Sequence, residues 1–314
     1  MPIWTPGCDT GSRGEQMSQL RDILVQEAER KRRSLLAEFF IRLVREKPLG
    51  VVGAVIVLIM LFSGIFADFL APHGMNELNL IDRLSAPSAK YLLGADQIGR
   101  DILSRIIYGA RVSMIVGLAG TTVSILVAAI IGVPSGFLGG KFDIIVQRFV
   151  DGWMAFPGLL ILLNVMSLVG RGMLQIILVL GILSGIGASR IVRSAVIGIK
   201  EDDYFLAAEA IGSSPPRTLI RHVMPNIMAP IIIIFSINIG WIILDEASLS
   251  FLGFGLPPEA ASWGSMLSRE GRRYMEIKPV LALYPGLCLA VVIYAINVFG
   301  YAIRDLLDPR LRGG

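Results

Sequence analysis

Residues 112–140 read VSMIVGLAGTTVSILVAAIIGVPSGFLGG, a stretch without a single Asp, Glu, Lys or Arg. A bilayer core of ~30 Å needs roughly 20 mostly apolar helical residues, so this run is long enough to cross one. Five more apolar runs accompany it: Pro48 to Ala67, Gly152 to Gly170, Gly172 to Ser189, Val223 to Leu244 with an apolar continuation to Pro258, and Pro279 to Ile303. One such run can be a buried helix of a soluble protein. Six in one chain would require a core with almost no polar outer face, and backbone groups in lipid are satisfied only inside helices or closed barrels. The expectation is an all-α membrane protein with about six transmembrane helices.

Composition agrees. Of 314 residues, 54% are apolar and 17% charged, and the mean hydropathy is +0.67, far from an ordinary soluble domain. The net charge of +4 fits cytoplasmic loops rich in Lys and Arg, and no nucleic-acid partner is expected. The two cysteines, Cys8 in a polar tail and Cys288 in an apolar run, do not make a disulfide framework, and no metal-ligand spacing occurs. The first residues lack the apolar core of a signal peptide, so the N-terminus is expected in the cytoplasm.

Most of the 29 basic residues fall inside if six spans alternate from that N-terminus, which puts both ends in the cytoplasm. The expected organisation is a cytoplasmic tail at 1–47, with an amphipathic or solvated helix from Met17 to Lys47, then a transmembrane domain at 48–303. That domain carries an external segment at 68–111, a cytoplasmic loop at 198–226 and a second external segment at 259–278. A cytoplasmic tail follows at 304–314.

The cytoplasmic loop contains KEDDYFLAAEAIGSSPPRTLIRHVMPN, Lys200 to Asn226. Acidic residues suit the start of one helix, Gly212 suits its end, Ser213 or Ser214 caps the next, and Pro215 or Pro216 occupies its first turn. Pro225 marks entry to the fifth span. A helix-Gly-helix elbow of this size is a compact docking knob.

This loop resembles the EAA loop of ABC importer permeases, whose pattern is E-A-A, three residues, Gly, nine residues, I-x-L-P. Ala207, Ala208, Gly212 and Pro225 stand at the matching spacing. Leu206 replaces the usual Glu, with Glu209 three residues later, while His222 and Met224 replace Ile and Leu. LGADQIGRDILSRIIYGARVS from Leu93, EASLSFLGFG from Glu246 and DPRLR from Asp308 resemble the C-type permeases of the dipeptide, oligopeptide and nickel importer family. The resemblance runs from about Leu35 to Arg312. It implies a type I ABC importer permease fold in the inner membrane and a pairing with a homologous second permease. It also implies separate ATP-binding subunits, which carry ATP and Mg, and an extracytoplasmic substrate-binding protein that delivers peptide cargo. The elbow from Tyr204 to Pro225, with Ala207, Ala208, Glu209, Gly212 and Pro225, would then couple the spans to the ATPase. The chain itself has no G-x-x-x-x-G-K-[ST] phosphate loop and no catalytic constellation, so a non-catalytic subunit without a bound cofactor or metal is expected.

Polar residues inside the runs are candidates for the pathway or for structural support. Asp245 and Glu246 interrupt the fifth run, with support the favoured role. Asp151, at the start of the third, is expected to cap that helix or pair with Arg148. Asn164, Asn238 and Asn297 can line a polar path or join helices by amide hydrogen bonds. Gly94, Gly99, Arg100 and Asp101 are expected to serve local folding. His73 and His222 stand alone and suggest no metal. The rival reading is an ion-gradient-driven secondary transporter, which offers no task for the elbow and would carry ionisable groups at broken helices near the midplane.

Overall fold

The computed structural model describes residues 41–210, 212–257, 259–268, 274 and 276–307. The expected helix from Met17 to Lys47 lies mostly outside the described residues, as do DPRLR at the C-terminus and Arg269 to Arg273. Residues 1–48 and 49–314 form separate units. In the first, residues 41–46 are helical, with Arg42 and Glu46 paired at 3.9 Å across one turn.

All the regular elements of the second unit are helical among the described residues. The main α-helices are α1 (Pro48–Ile65), α2 (Ala67–Leu70), α3 (Ile102–Leu138), α4 (Gly140–Met154), α5 (Gly158–Val169) and α6 (Met173–Lys200), then α7 (Asp203–Ala210), α8 (Pro215–Thr218), α9 (Met228–Phe251), α10 (Trp263–Leu267) and α11 (Val280–Leu307). Five of them, α1, α3, α6, α9 and α11, are long and apolar enough to cross a membrane, and α4 with α5 makes a sixth if the bent pair counts as one span. Their outer surfaces carry exposed Leu49, Val52, Leu58, Phe62, Leu126, Ile130, Leu168, Trp241 and Tyr294. Such a coat is stable against lipid and costly against water.

The third run departs from expectation. Instead of one helix over 152–170, the chain turns by 86° between α4 and α5. Pro157, extended at ψ 118° as the residue before α5, has no N–H to continue a helix and pushes Phe156 away from helical backbone. The twelve residues of α5 rise only about 18 Å, too short to span alone. α4 is amphipathic. Asp143, Gln147 and Asp151 recur at a spacing of four on one face, and Ile144, Ile145 and Phe149 are exposed.

Charged residues that ended the apolar runs in sequence do not end the helices. α3 starts at Ile102, with Asp101 accepting from the Ser104 N–H at 2.9 Å as its cap. Its Arg111 donates to Gly64 O at 2.8 Å and to Asp68 at 2.8 Å. α6 continues through Arg190 and Arg193 to Lys200, whose ammonium donates to Phe137 O at 2.9 Å.

α3 and α6 form the central pair. A Cβ placed on Gly181 would lie 2.6 Å from Val123 Cβ, and one on Gly185 would lie 2.6 Å from Ser124 O. These small residues, one turn apart, let the backbones touch, which is how helices associate where lipid offers no hydrophobic contrast. Val116, Ile176, Leu180, Ile242 and Leu249 fill one buried cluster between α3, α6 and α9. Trp263, fully buried beside Met114, Ile243 and Val292, marks another.

Candidate functional site

The elbow is present as two helical pieces. Asp203 opens α7, and Gly212, at φ +79°, follows its end. The Ser213 N–H donates to Ala208 O at 3.1 Å, the six-to-one bond of a Schellman ending, which needs a left-handed residue between. Pro215 begins α8 behind an extended Ser214 that makes no side-chain cap. The Thr218 hydroxyl instead ties the turn, donating to Ser213 Oγ at 3.1 Å and Ser214 O at 3.2 Å. A π-helical turn, Leu219–Val223, and a short helix, Met224–Asn226, containing Pro225, lead into α9.

Two faces of the elbow differ. Ala207, Gly212 and Pro225 are exposed, together with Tyr204 and Ile220. Phe205, Ala208, Thr218, Val223 and Ile227 are buried, and Phe205, Val223 and Ile227 join Ala128, Val192 and Val196 in a cluster with α3 and α6. The elbow is therefore held to the bundle by its apolar side while its other side is open. Phe205 is a functional candidate that the motif did not single out; its only signal is a large aromatic residue just after the acidic start of α7. The backbone of Glu209 lies in α7; its side chain, and that of Leu206, lie outside the described residues.

α4 lies beside the helix that feeds the elbow. Asp143 accepts from Arg193 Nε and Nη2, each at 2.5 Å, and from Ser135 Oγ at 2.5 Å. Asp151 pairs with Arg190. The expectation for Asp151 is corrected here: it sits in the last turn of α4 and caps no helix start, because the break at Pro157 moved that start to Gly158, and its partner is Arg190 and not Arg148.

The other polar positions separate. Asn238 reaches Ser124 Oγ at 3.4 Å and lines, with Pro230, Ile234 and Arg304, a groove of about 470 Å³ between α6, α9 and α11. Asp245, half-buried, lines a smaller cavity at the break between α4 and α5. Glu246 is fully buried and accepts from Ser250 Oγ at 2.7 Å. Neighbours in sequence, these two carboxylates point into different environments. Asn164 donates to its own helix at Leu160 O, 2.8 Å.

The stretch around Gly94 is a folded clasp. Asp96 accepts from the Ile98 and Arg100 N–H groups, both at 2.9 Å, and from Arg100 Nε at 2.6 Å. Gly94, at φ +85°, leaves no room for a Cβ, which would lie 2.7 Å from Ser85 O. Asp101 accepts from Ser104 Oγ at 2.6 Å, and His73 stands 3.7 Å from the same carboxylate oxygen. Lys278 donates to Leu84 O and, at 2.6 Å, to Ser85 O; burial lowers its pKa. Among the described residues no three His, Cys, Asp or Glu side chains group to hold a metal.

A family model described as a binding-protein-dependent transport system inner membrane component matches residues 124–313. The chain belongs to that family. A second model, the N-terminal transmembrane domain of oligopeptide transport permease C, matches residues 34–87 of the permease. A dipeptide transport system permease of Alkalihalophilus pseudofirmus is 34% identical over 268 residues, 85% of this chain and 88% of the relative. The oligopeptide transport system permease of Bacillus subtilis is also 34% identical, with the same coverage. A glutathione transport system permease of Pectobacterium atrosepticum is 34% identical over 88% of this chain and 91% of its own length. Among solved structures, the inward-facing MetNI methionine ABC transporter matches with a TM-score of 0.48 and 18% identity, covering 65% of this chain and 96% of that one. The family and the five or six apolar helices make the permease a multi-pass inner-membrane transport component, all-α in its regular elements among the described residues.

Proposed function

We propose that the permease forms half of a translocation pathway for di- or oligopeptides and is driven through its elbow by separate ATP-binding subunits, which carry the ATP and Mg. The carrying observation is the two-sided elbow: Phe205, Val223 and Ile227 are sunk among residues of α3 and α6, while Ala207, Gly212 and Pro225 are exposed. A knob seated in an ATPase cleft would move with it, and its buried side would pass that motion to the central helix pair as a rigid-body displacement. Glu209 would contribute to the docking face.

A homologous second permease would complete the pathway and an extracytoplasmic binding protein would deliver the peptide; three relatives named for dipeptide, oligopeptide and glutathione transport support that cargo class. Both termini, 1–47 and 304–314, would lie in the cytoplasm with the loop at 198–226, and the segments at 68–111 and 259–278 outside. Asn238 and Asp245 face cavities and are assigned to the pathway. Glu246, enclosed on all sides, and Asp151, paired with Arg190, are assigned to support. Purification of the tagged chain in mild detergent tests this: a second permease and ATPase subunits should co-purify and hydrolyse ATP. A lone chain that takes up peptide on an ion gradient would overturn the reading in favour of a secondary transporter.

A further inference from the structure

We propose that the cavity at the break between α4 and α5 is a subsite for a singly charged organic ammonium group, held by Asp245 and Ser184 against Trp153. In transport it would take the free amino end of the cargo, a role that rests on the importer reading above, whereas the binding chemistry does not.

The cavity measures about 190 Å³, and Asp245, Ser184, Trp153, Gly158, Leu162 and Leu183 are among the residues that line it. Asp245 stands six residues before the end of α9 at Phe251, about 9 Å inside the helix. It makes no hydrogen bond or ion pair among the described residues. No Lys, Arg or His lines the cavity, and the guanidinium of Arg190 is engaged by Asp151. An uncompensated carboxylate at this depth is costly and calls for a counter-charge. Among the described residues none supplies it.

The surroundings select the kind of cation. Calcium and magnesium take six or more oxygen ligands, and here a single carboxylate and a hydroxyl stand among apolar walls. An indole beside a carboxylate suits an organic ammonium, which gains from the aromatic face and keeps its hydrogen bonds to oxygen. The first turn of α5, beginning at Gly158, lines the same cavity as Asp245. The break at Pro157 makes the cavity possible, since a straight helix over 152–170 would leave no elbow to open it.

The test uses the assembled transporter in nanodiscs without binding protein. Butylamine is titrated against its neutral analogue N-butylacetamide, and Trp153 fluorescence is the readout, with Trp153→Phe as the control that removes it. Butylamine should give a saturable change that N-butylacetamide does not. Asp245→Asn should weaken it by about tenfold or more, Ser184→Ala by less, and Asp245→Glu should retain it. An equal response to both probes, or an unchanged response in Asp245→Asn, would overturn the site. The cargo role is read separately, as the ratio of dialanine to N-acetyl-dialanine uptake with one fixed binding protein. That ratio should fall toward one in Asp245→Asn; uptake that persists with an unchanged ratio removes the subsite and leaves the importer reading standing, and absence of all ATP-driven uptake removes the latter while the butylamine titration still decides the pocket.

Discussion

Asp143 and Arg193, fifty positions apart, meet in a two-pronged ion pair with both N···O distances at 2.5 Å. The pair fastens α4 to α6, the helix that runs on into the elbow. Its side chains are 14% and 29% exposed, between a surface pair and a buried one. Removing one partner should therefore cost about 1–3 kcal/mol. Asp143→Asn and Arg193→Gln should each lower the melting temperature in detergent, and the double variant should lose less than the sum of the two. Additive losses would show that the pair contributes nothing specific.

Gly212 stands at φ +79°, where proline, fixed near −65°, cannot follow. Gly212→Pro should leave the permease inserted in the membrane fraction but abolish ATP-dependent uptake and weaken ATPase co-purification. Gly212→Ala, which strains the same backbone by about 1–2 kcal/mol, should be milder on both readouts. Normal uptake by Gly212→Pro would remove the elbow from the coupling path.

Phe205 is 2% exposed and meets Phe137 edge-on with ring centroids 6.5 Å apart. Truncation to Ala should cost about 3–5 kcal/mol of local packing. Because the loss falls on the anchored face, Phe205→Ala should reduce uptake per ATP hydrolysed more than it reduces ATPase association. Ala207→Arg, on the open face, should do the reverse, measured by co-purification against coupled uptake in the same proteoliposomes.

Asp82, in the segment between α2 and α3, accepts from Lys90 at 2.6 Å and from the Tyr91 hydroxyl at 3.2 Å. The Lys90 hydrogen bond, more than any other contact, holds its carboxyl below the usual carboxylate range. A depressed folded value means that the contribution is complete above the ordinary aspartate pKa of about 3.9 and fades only as pH falls through the lower folded one. Protease protection of residues 80–91 should be flat from about pH 8 to 5 and weaken only in stronger acid. Asp82→Asn should lower it by the same factor across that plateau.

The apolar runs, the elbow and the family were legible in the residues, because lipid imposes a long uninterrupted pattern and the elbow's glycine and prolines have local backbone meaning. The break in the third run was also written locally, in Pro157, but a count of apolar residues passes over it. What could not be read was pairing at a distance. Arg111, Arg190 and Arg193 look like helix ends until Asp68, Asp151 and Asp143 are brought beside them.

Asp245 and Glu246 carry the same point to the candidate site. Sequence placed two carboxylates in one apolar run and established that each is costly there. It did not decide which is enclosed and bonded to Ser250 and which faces a cavity. Adjacent residues on a helix point about 100° apart, so their surroundings belong to different neighbouring helices, and only the packed bundle assigns them. The solvent, the helices and the family were thus determined by composition and spacing; the partner of each charge was decided by tertiary structure, because an ion pair depends on distance in space and not along the chain.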